Sequence, residues 1–178
     1  NPDVASNGIE FLVTWSDFIT NGAPAVYVAR VSNSGTVLDS GGVFIKANNN
    51  AAPVLAYASS GTNYLVAYQI SDSGIGKLYG NRSRVVSGVT NLDSGGFSIS
   101  TNFVGGEYAL ASNGTNYMAV FTGQPPNEDI DLFAQGVRAS DATILNPTDS
   151  LVCRWNSVQE LPAIASNGTD FLVAWTEP

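Results

Sequence analysis

The chain has 178 residues, of which 44% are apolar, and this is enough for one sizeable hydrophobic core. Its 15 acidic residues outnumber its 7 basic residues, and the net charge of -8 disfavours nucleic acid and anionic membrane surfaces as partners. Histidine is absent and cysteine occurs once, which excludes an internal disulfide framework and the common histidine-based and cysteine-based metal sites. No run of 18 apolar residues occurs, so we expect no membrane insertion.

One short pattern, Ala-Ser-Asn-Gly followed by an apolar run, occurs four times along the chain. The copies occupy residues 5–15, 58–68, 111–121 and 165–175, with Ser-Gly in place of Asn-Gly in the second. Their glycines, Gly8, Gly61, Gly114 and Gly168, are 53, 53 and 54 residues apart. A fixed period in this range is typical of solenoids, arrays and propellers. We therefore divide the chain into repeats 1–52, 53–105 and 106–160 and a half repeat 161–178.

Each repeat begins with a predicted β-hairpin. Asn-Gly between two apolar runs is a strong signal for a two-residue type I′ turn, in which both central residues need positive φ. The second run is apolar at nearly every position, which predicts a strand covered on both faces. It ends in an aromatic residue, and we expect these four residues to lie in the core between sheets: Trp15, Tyr68, Phe121 and Trp175.

Two further strands are predicted in each full repeat. Segments rich in Pro, Gly, Asn and Asp follow the hairpins and are predicted to be loops, at 16–24, 69–76 and 122–131. A third strand comes next, with a basic residue soon after it, namely Arg30, Arg82 or Arg138. A fourth strand is indicated around residues 38–45 and 92–99 and more loosely at 145–152. No segment keeps the 3.6-residue apolar spacing of a helix.

Four short antiparallel strands per repeat of this length are what one propeller blade requires. The sequence therefore predicts an all-β fold, in which residues 1–178 form a single β-propeller of three full blades and half of a fourth. Propellers normally need at least four blades to close. We accordingly expect the partners of this chain to be other copies of itself or the rest of a longer chain, because unclosed blade faces are apolar.

The combined pattern P-x-V/I-A-S-N-G-x-x-F/Y-L-V-x-W, followed by Y-x-A-R-V-S-x-S-G-x-V-L-D-x-G-G, resembles the tandem β-propeller repeats of large secreted or surface bacterial proteins. The resemblance covers the whole chain. It implies an extracellular or cell-surface location and a role as a ligand-binding platform, an adhesion module, a surface-layer part or an accessory domain of a hydrolase. The family pattern contains no catalytic residue, so none is assigned.

In propellers, the connection between blades and the loop between the second and third strands emerge on one face, where ligands usually bind. Aromatic rings stack on sugar or peptide surfaces, and Arg and Asn supply polar contacts. The candidate ligand-binding residues on this face are Trp155, Arg154, Asn156, Phe103 and Phe18. An alternative is that Trp155 covers the end of the hydrophobic core.

Acidic residues concentrate in the longest variable loop, at Glu128, Asp129 and Asp131. Oxygen-rich loops can bind calcium, although the twelve-residue pattern of an EF-hand is absent. The alternative is a solvated loop without metal, and no other cofactor is expected.

The function that this sequence favours is a non-catalytic extracellular module that binds glycan or protein, or assembles with other copies into a surface or filament structure. The alternative is the propeller portion of a secreted hydrolase, such as a glycoside hydrolase with a carboxylate pair. The absence of histidine and of a G-x-S-x-G motif favours the first hypothesis over an enzyme.

Overall fold

The computed structural model describes residues 2–18, 22, 24–47, 56–72, 75–100, 106–125, 129–155 and 157–177. Within these ranges every element of regular secondary structure is a β-strand, and the predicted all-β fold is confirmed. Fifteen strands form four antiparallel sheets that follow one another along the chain. No described segment forms a helix of the length and hydropathy needed to cross a membrane.

The first sheet contains β1 (Asp3–Ser6), β2 (Glu10–Phe18), β3 (Pro24–Ser32) and β4 (Val43–Ala47). The second contains β5 (Ala56–Ser60), β6 (Asn63–Asp72), β7 (Ile75–Val85), β8 (Val89–Asn91) and the short β9 (Phe97–Ser98), which pairs with β7. The third contains β10 (Tyr108–Ser112), β11 (Asn116–Gly123), β12 (Asp131–Arg138) and β13 (Ser150–Cys153). The last contains β14 (Glu160–Ser166) and β15 (Phe171–Thr176). Apart from β9, strands that are consecutive in sequence are therefore neighbours in each sheet.

The strand register shows which residues of the repeats are equivalent. The aromatic residue of the second strand faces an aromatic residue of the third strand in each of the first three sheets: Trp15 pairs with Tyr27, Tyr68 with Tyr79, and Phe121 with Phe133. Directly opposite residues lie on the same side of an antiparallel sheet. The first three sheets thus carry the same aromatic pair on the same face.

The hairpin turns differ from the type I′ prediction. The two central residues are the glycine and the residue after it, as in Gly8-Ile9, because Asn7 N donates to Glu10 O at the closing pair. Only the glycine has positive φ, at 85° in Gly8, so the pattern is that of a type II′ turn. Asn7 precedes the turn, and its Oδ1 accepts the N–H groups of Ile9 and Glu10 at 2.9 Å each. The asparagine side chain therefore takes over acceptor positions that the backbone would otherwise supply.

The predicted loops after the hairpins are too long. β2 continues to Phe18, and β6 and β7 together occupy all but two positions of the segment 69–76. The polar residues in these segments join the ladder because antiparallel pairing satisfies their backbone groups whatever the side chain. Strand pairing thus overrides the turn-favouring composition.

The three basic residues associated with the third strands, Arg30, Arg82 and Arg138, do not all occupy the same position in the register. Three leucines outside the strands donate their backbone N–H groups to equivalent carbonyl oxygens: Leu38 to Arg30, Leu92 to Arg82 and Leu145 to Gly136. Gly136 is therefore the third equivalent position. Arg138 lies two residues farther on and forms an exposed ion pair with Asp141 at 3.1 Å. The distance of a basic residue from the strand in the sequence does not identify the equivalent position, because that position depends on the register of strand pairing.

Two buried clusters fill the spaces between the first three sheets. One joins Leu12, Val28 and Ile45 of the first sheet to Tyr64, Val66 and Tyr68 of the second. The other joins Leu65 and Leu78 of the second sheet to Tyr117, Ala119 and Phe121 of the third. Tyr68 and Phe121 are fully buried, as predicted, whereas Trp15 and Trp175, in the two outermost sheets, are only half-buried. The strands that contact between sheets are β1 with β5, β5 with β10, and β10 with β14.

Candidate functional site

One end of each sheet carries the loops predicted to bind ligand. The second strand ends and the third begins there, and the chain also leaves the fourth strand at this end to enter the next sheet. We call it the loop end. Of the sequence-predicted residues, Phe18, Asp129, Asp131, Arg154 and Trp155 lie at the loop end, whereas Phe103, Asn156 and Glu128 lie outside the described residues.

Trp155 is the most distinctive side chain of the loop end. It follows β13 in the connection to the last sheet, and 67% of its surface is exposed. The alternative, in which Trp155 covers the end of the core, is not what the structure shows, because a covering ring would have its surface buried. An exposed indole is a large flat apolar surface available to a ligand.

Arg154, next to Trp155, is held by a buried carboxylate. Its Nε donates to Asp131 Oδ2 at 2.9 Å, and the side chain of Asp131 is only 2% exposed while that of Arg154 is 53% exposed. Asp131 is the first residue of β12 and is fixed by the sheet. The guanidinium is therefore positioned by its buried side and presents its other side to the solvent.

The connection that carries Trp155 is tied to the third sheet farther along as well. Gln159 N donates to Ile130 O at 3.1 Å, and Leu161 N donates to Glu107 Oε2 at 2.7 Å. Leu161 has a positive φ of 51°, an unfavourable conformation for a leucine. Arg154 on one side of Trp155 and Leu161 on the other are therefore each held by a carboxylate, those of Asp131 and Glu107.

Two of the three candidate calcium residues, Asp129 and Asp131, lie within the described part of the chain. Asp129 is exposed, while Asp131 is buried and ion-paired with Arg154. The described part of the chain contains no group of three or more His, Cys, Asp or Glu side chains that could hold a metal ion. Asp131 therefore acts as a support for Arg154.

The remaining reactive groups at this end are also engaged in structural contacts. Glu107, named above as a support for Leu161, has its Oε2 occupied by a backbone N–H. The Cys153 sulfur lies 3.7 Å from Glu177 Oε1, and burial together with this carboxylate raises the pKa of the thiol. A thiol held in its protonated form is a poor nucleophile.

Phe18 is strongly exposed but lies at the end of β2 in the first sheet, whereas Trp155 follows the third sheet. The two candidates thus belong to different parts of the loop end. Trp155, Arg154 and the supporting carboxylates Asp131 and Glu107 form the coherent group. The supporting role of Glu107 and the backbone strain at Leu161 were missed by the sequence reasoning, since neither has a local signal.

The sequence matches no family model and no curated protein. Among solved structures, the chain is similar to the crystal structure of an α-L-arabinofuranosidase from Lactobacillus brevis, with 12% sequence identity and a TM-score of 0.49. The match covers 99% of this chain and 64% of that chain, so this chain spans less than two thirds of the length of that protein. A likeness at this level carries no argument about activity or substrate.

Proposed function

We propose that this chain is a non-catalytic recognition module that works outside the cell or on its surface. In this proposal, its sheets are stacked radially as propeller blades, and its loop end binds a neutral glycan through Trp155. The single observation that carries the glycan site is the exposed Trp155 beside the half-exposed Arg154, which Asp131 holds in place.

The radial arrangement is supported by the order of contacts between sheets. The first strands β1, β5, β10 and β14 contact one another in chain order, as the innermost strands of successive blades would. The sheets also pack through equivalent faces. In the second and third sheets, the aromatic residues of the second strand pack against the preceding sheet.

A neutral glycan suits the chemistry of this segment. The apolar face of a pyranose stacks on an indole ring, and a guanidinium donates hydrogen bonds to hydroxyl oxygens. The net charge of -8 disfavours strongly acidic polysaccharides. The contacts of Arg154 and Leu161 lower the conformational entropy lost on binding, since these two residues are held before the ligand arrives.

An extracellular location is supported by the composition. Charged residues make up 12% of the chain, about half of the usual share of roughly 25%, and the polar surface is supplied by Asn, Ser, Thr and Gly. This composition is common among secreted β proteins.

The test is a glycan array followed by titration calorimetry with a soluble neutral oligosaccharide from the array. We expect Trp155→Ala to weaken binding by at least about tenfold, and Trp155→Phe to retain most of it, since a smaller ring still stacks. Val152→Ala, which shortens an exposed apolar side chain of β13 nearby, is the matched control. Binding that is unaffected by Trp155→Ala, or a wild-type chain that binds no glycan, would overturn the glycan proposal.

Binding of a protein at the loop end is a distinct outcome of the same experiment. It would be indicated if the array stays negative while Trp155→Ala abolishes capture of a defined protein ligand. The hydrolase alternative gains no support from Asp131 and Glu107, because each of these two carboxylates is used in a structural contact.

A further inference from the structure

The first sheet has one uncovered face, which we call the N-terminal face. It carries the side chains of Val4, Phe11, Val13, Trp15, Tyr27 and Phe44. Trp15 stacks on Tyr27 with ring centroids 6.0 Å apart, and Tyr27 meets Phe44 edge to face at 5.9 Å. Phe11 is 38% exposed, and Val4 and Phe44 are more exposed still. An ordered aromatic face of this kind is unusual on a surface that remains in water.

The same positions are buried in the next two sheets. Phe11 is equivalent to Tyr64 and Tyr117, which are both fully buried. These tyrosines lie in the two clusters in which each sheet packs against the preceding one. The chain itself therefore shows what covers a face of this type, namely the opposite face of a like sheet.

The opposite face, through which a sheet packs against the following sheet, is uncovered in the last sheet. The outer side of the β14–β15 hairpin, which we call the C-terminal face, carries Leu172, Ala165 and Ala174, and all three are exposed. Leu172, at 75% exposed, is equivalent to Leu12 and Leu65, which are fully buried against the following sheet. The two bare faces are thus the two halves of an interface that already occurs twice within the chain.

We propose that the C-terminal face of one copy packs against the N-terminal face of a second copy. The contact continues the series of sheet-on-sheet interfaces that the chain contains, with Leu172 opposite Phe11 and Val13 as Leu12 is opposite Tyr64 and Val66. Because the β14–β15 hairpin has two strands, it covers the β1–β2 half of the N-terminal face. The inference does not depend on the glycan proposal, since neither face includes the loop end.

The contact joins two different surfaces, so it is heterologous. A heterologous contact either closes into a ring or continues as an open chain of copies. Substitutions on either face should therefore disrupt association equally, and substitutions on the two faces should complement each other when placed on different copies.

The test measures the mass of the chain by analytical ultracentrifugation over micromolar to near-millimolar concentrations. We expect the wild-type chain to associate, and Phe11→Glu and Leu172→Lys each to give a monomer. Both side chains are exposed in the single copy, so each variant should keep the wild-type circular dichroism. An equimolar mixture of the two variants should regain dimers, because unmodified faces pair with each other and the altered faces carry opposite charges.

Val86→Lys is the matched control, because Val86 is 71% exposed and lies after β7 of the second sheet, away from both faces. It should associate as the wild type does. A wild-type chain that stays monomeric over the whole range would overturn the proposal. So would a result in which only one of the two face variants abolishes association, since that outcome indicates a contact between two identical faces.

Discussion

Arg82 donates from Nε and Nη2 to the two carboxylate oxygens of Asp93, with both distances 2.8 Å. Arg82 N also donates to Asp93 Oδ2 at 2.9 Å, and Arg82 Nη1 reaches the carbonyl oxygen of Ala139 in the third sheet at 3.3 Å. One ion pair therefore fixes the segment between β8 and β9 and also contacts the residue that follows β12 of the next sheet. Arg30 and Asp39 repeat the bidentate pair in the first sheet, at 2.8 and 2.9 Å.

Loss of Asp93 should destabilise the fold. Asp93→Ala leaves the buried guanidinium of Arg82 without its partner, and we expect a loss of about 2 kcal/mol in the free energy of unfolding. This is less than for a fully buried pair, because 18% of the Asp93 side chain is exposed. Urea denaturation followed by tryptophan fluorescence measures the change. Arg138→Ala, which removes an exposed ion pair, is the control and should have little effect; equal losses in both variants would contradict the assignment.

Stability should depend on pH in the acid range. The side-chain hydrogen bond from Arg30 is the main cause that lowers the pKa of Asp39 below its ordinary value of 3.8. Burial alone would raise the pKa of Asp93, but the hydrogen bonds and charge of Arg82 outweigh it and lower this pKa. Backbone and side-chain hydrogen bonds from Thr143, with Arg138, lower the pKa of Asp141 to about 2.

A carboxylate with a lowered pKa stabilises the folded state fully above its unfolded pKa and loses that contribution as the pH falls through its folded pKa. We therefore expect the melting temperature to fall as the pH drops below 3.8, over the range down to about 2. Between about pH 5 and 8 it should change little, because the chain has no histidine. Calorimetry across this range measures the effect, and Asp39→Ala should reduce the acid slope; an unchanged slope would count against this cause.

Two equivalent glycines, Gly42 before β4 and Gly96 before β9, have positive φ and leave too little space for a Cβ. Gly96 has a φ of 70°, and a Cβ there would overlap the buried hydroxyl of Tyr68. Gly42 has a φ of 69°, and a Cβ would lie 2.7 Å from the Trp15 ring. We expect Gly96→Ala to lower the free energy of unfolding by at least about 2 kcal/mol, from strain and overlap together.

Gly42→Ala should cost less than Gly96→Ala, because Trp15 is only half-buried and can move. The matched controls are the preceding residues, Gly41 and Gly95, where a Cβ would meet nothing within 4 Å. Alanine at either control position should leave thermal stability nearly unchanged. A stability loss at Gly95→Ala as large as at Gly96→Ala would show that the positive φ is not the reason.

The third sheet has neither residue of the ion pair that Arg82 and Asp93 form in the second sheet. Gly136 replaces the arginine, Asn146 replaces the aspartate, and Leu145 fills the space beside Gly136, with its Cδ1 3.0 Å from where a Cβ would lie. Gly136→Arg alone should destabilise the chain through this overlap. Adding Asn146→Asp should recover about 1 kcal/mol, because the two new charges can pair. A double-mutant cycle by urea denaturation measures the coupling, and a coupling of zero would mean that the local backbone no longer allows the pair.

The sequence alone determined the class of fold and its repetition. The recurrence of Gly8, Gly61, Gly114 and Gly168 and the apolar runs beside them specify hairpins at a fixed spacing, because turn conformation and hydrophobic period are local properties. The sequence placed Trp155 at a connection between sheets but left open whether its ring is exposed or covers the core, and the structure shows it 67% exposed.

The tertiary structure decided which residues occupy equivalent positions and which faces are covered. Register assigned Gly136, not Arg138, to the arginine position, and it placed Gly8 and Ile9 at the centre of the turn. Tyr64 is fully buried whereas Phe11 is 38% exposed, although the two residues occupy the same position in their repeats. These outcomes depend on pairing between strands and on the presence of a neighbouring sheet, which are long-range relationships that no local pattern of residues encodes.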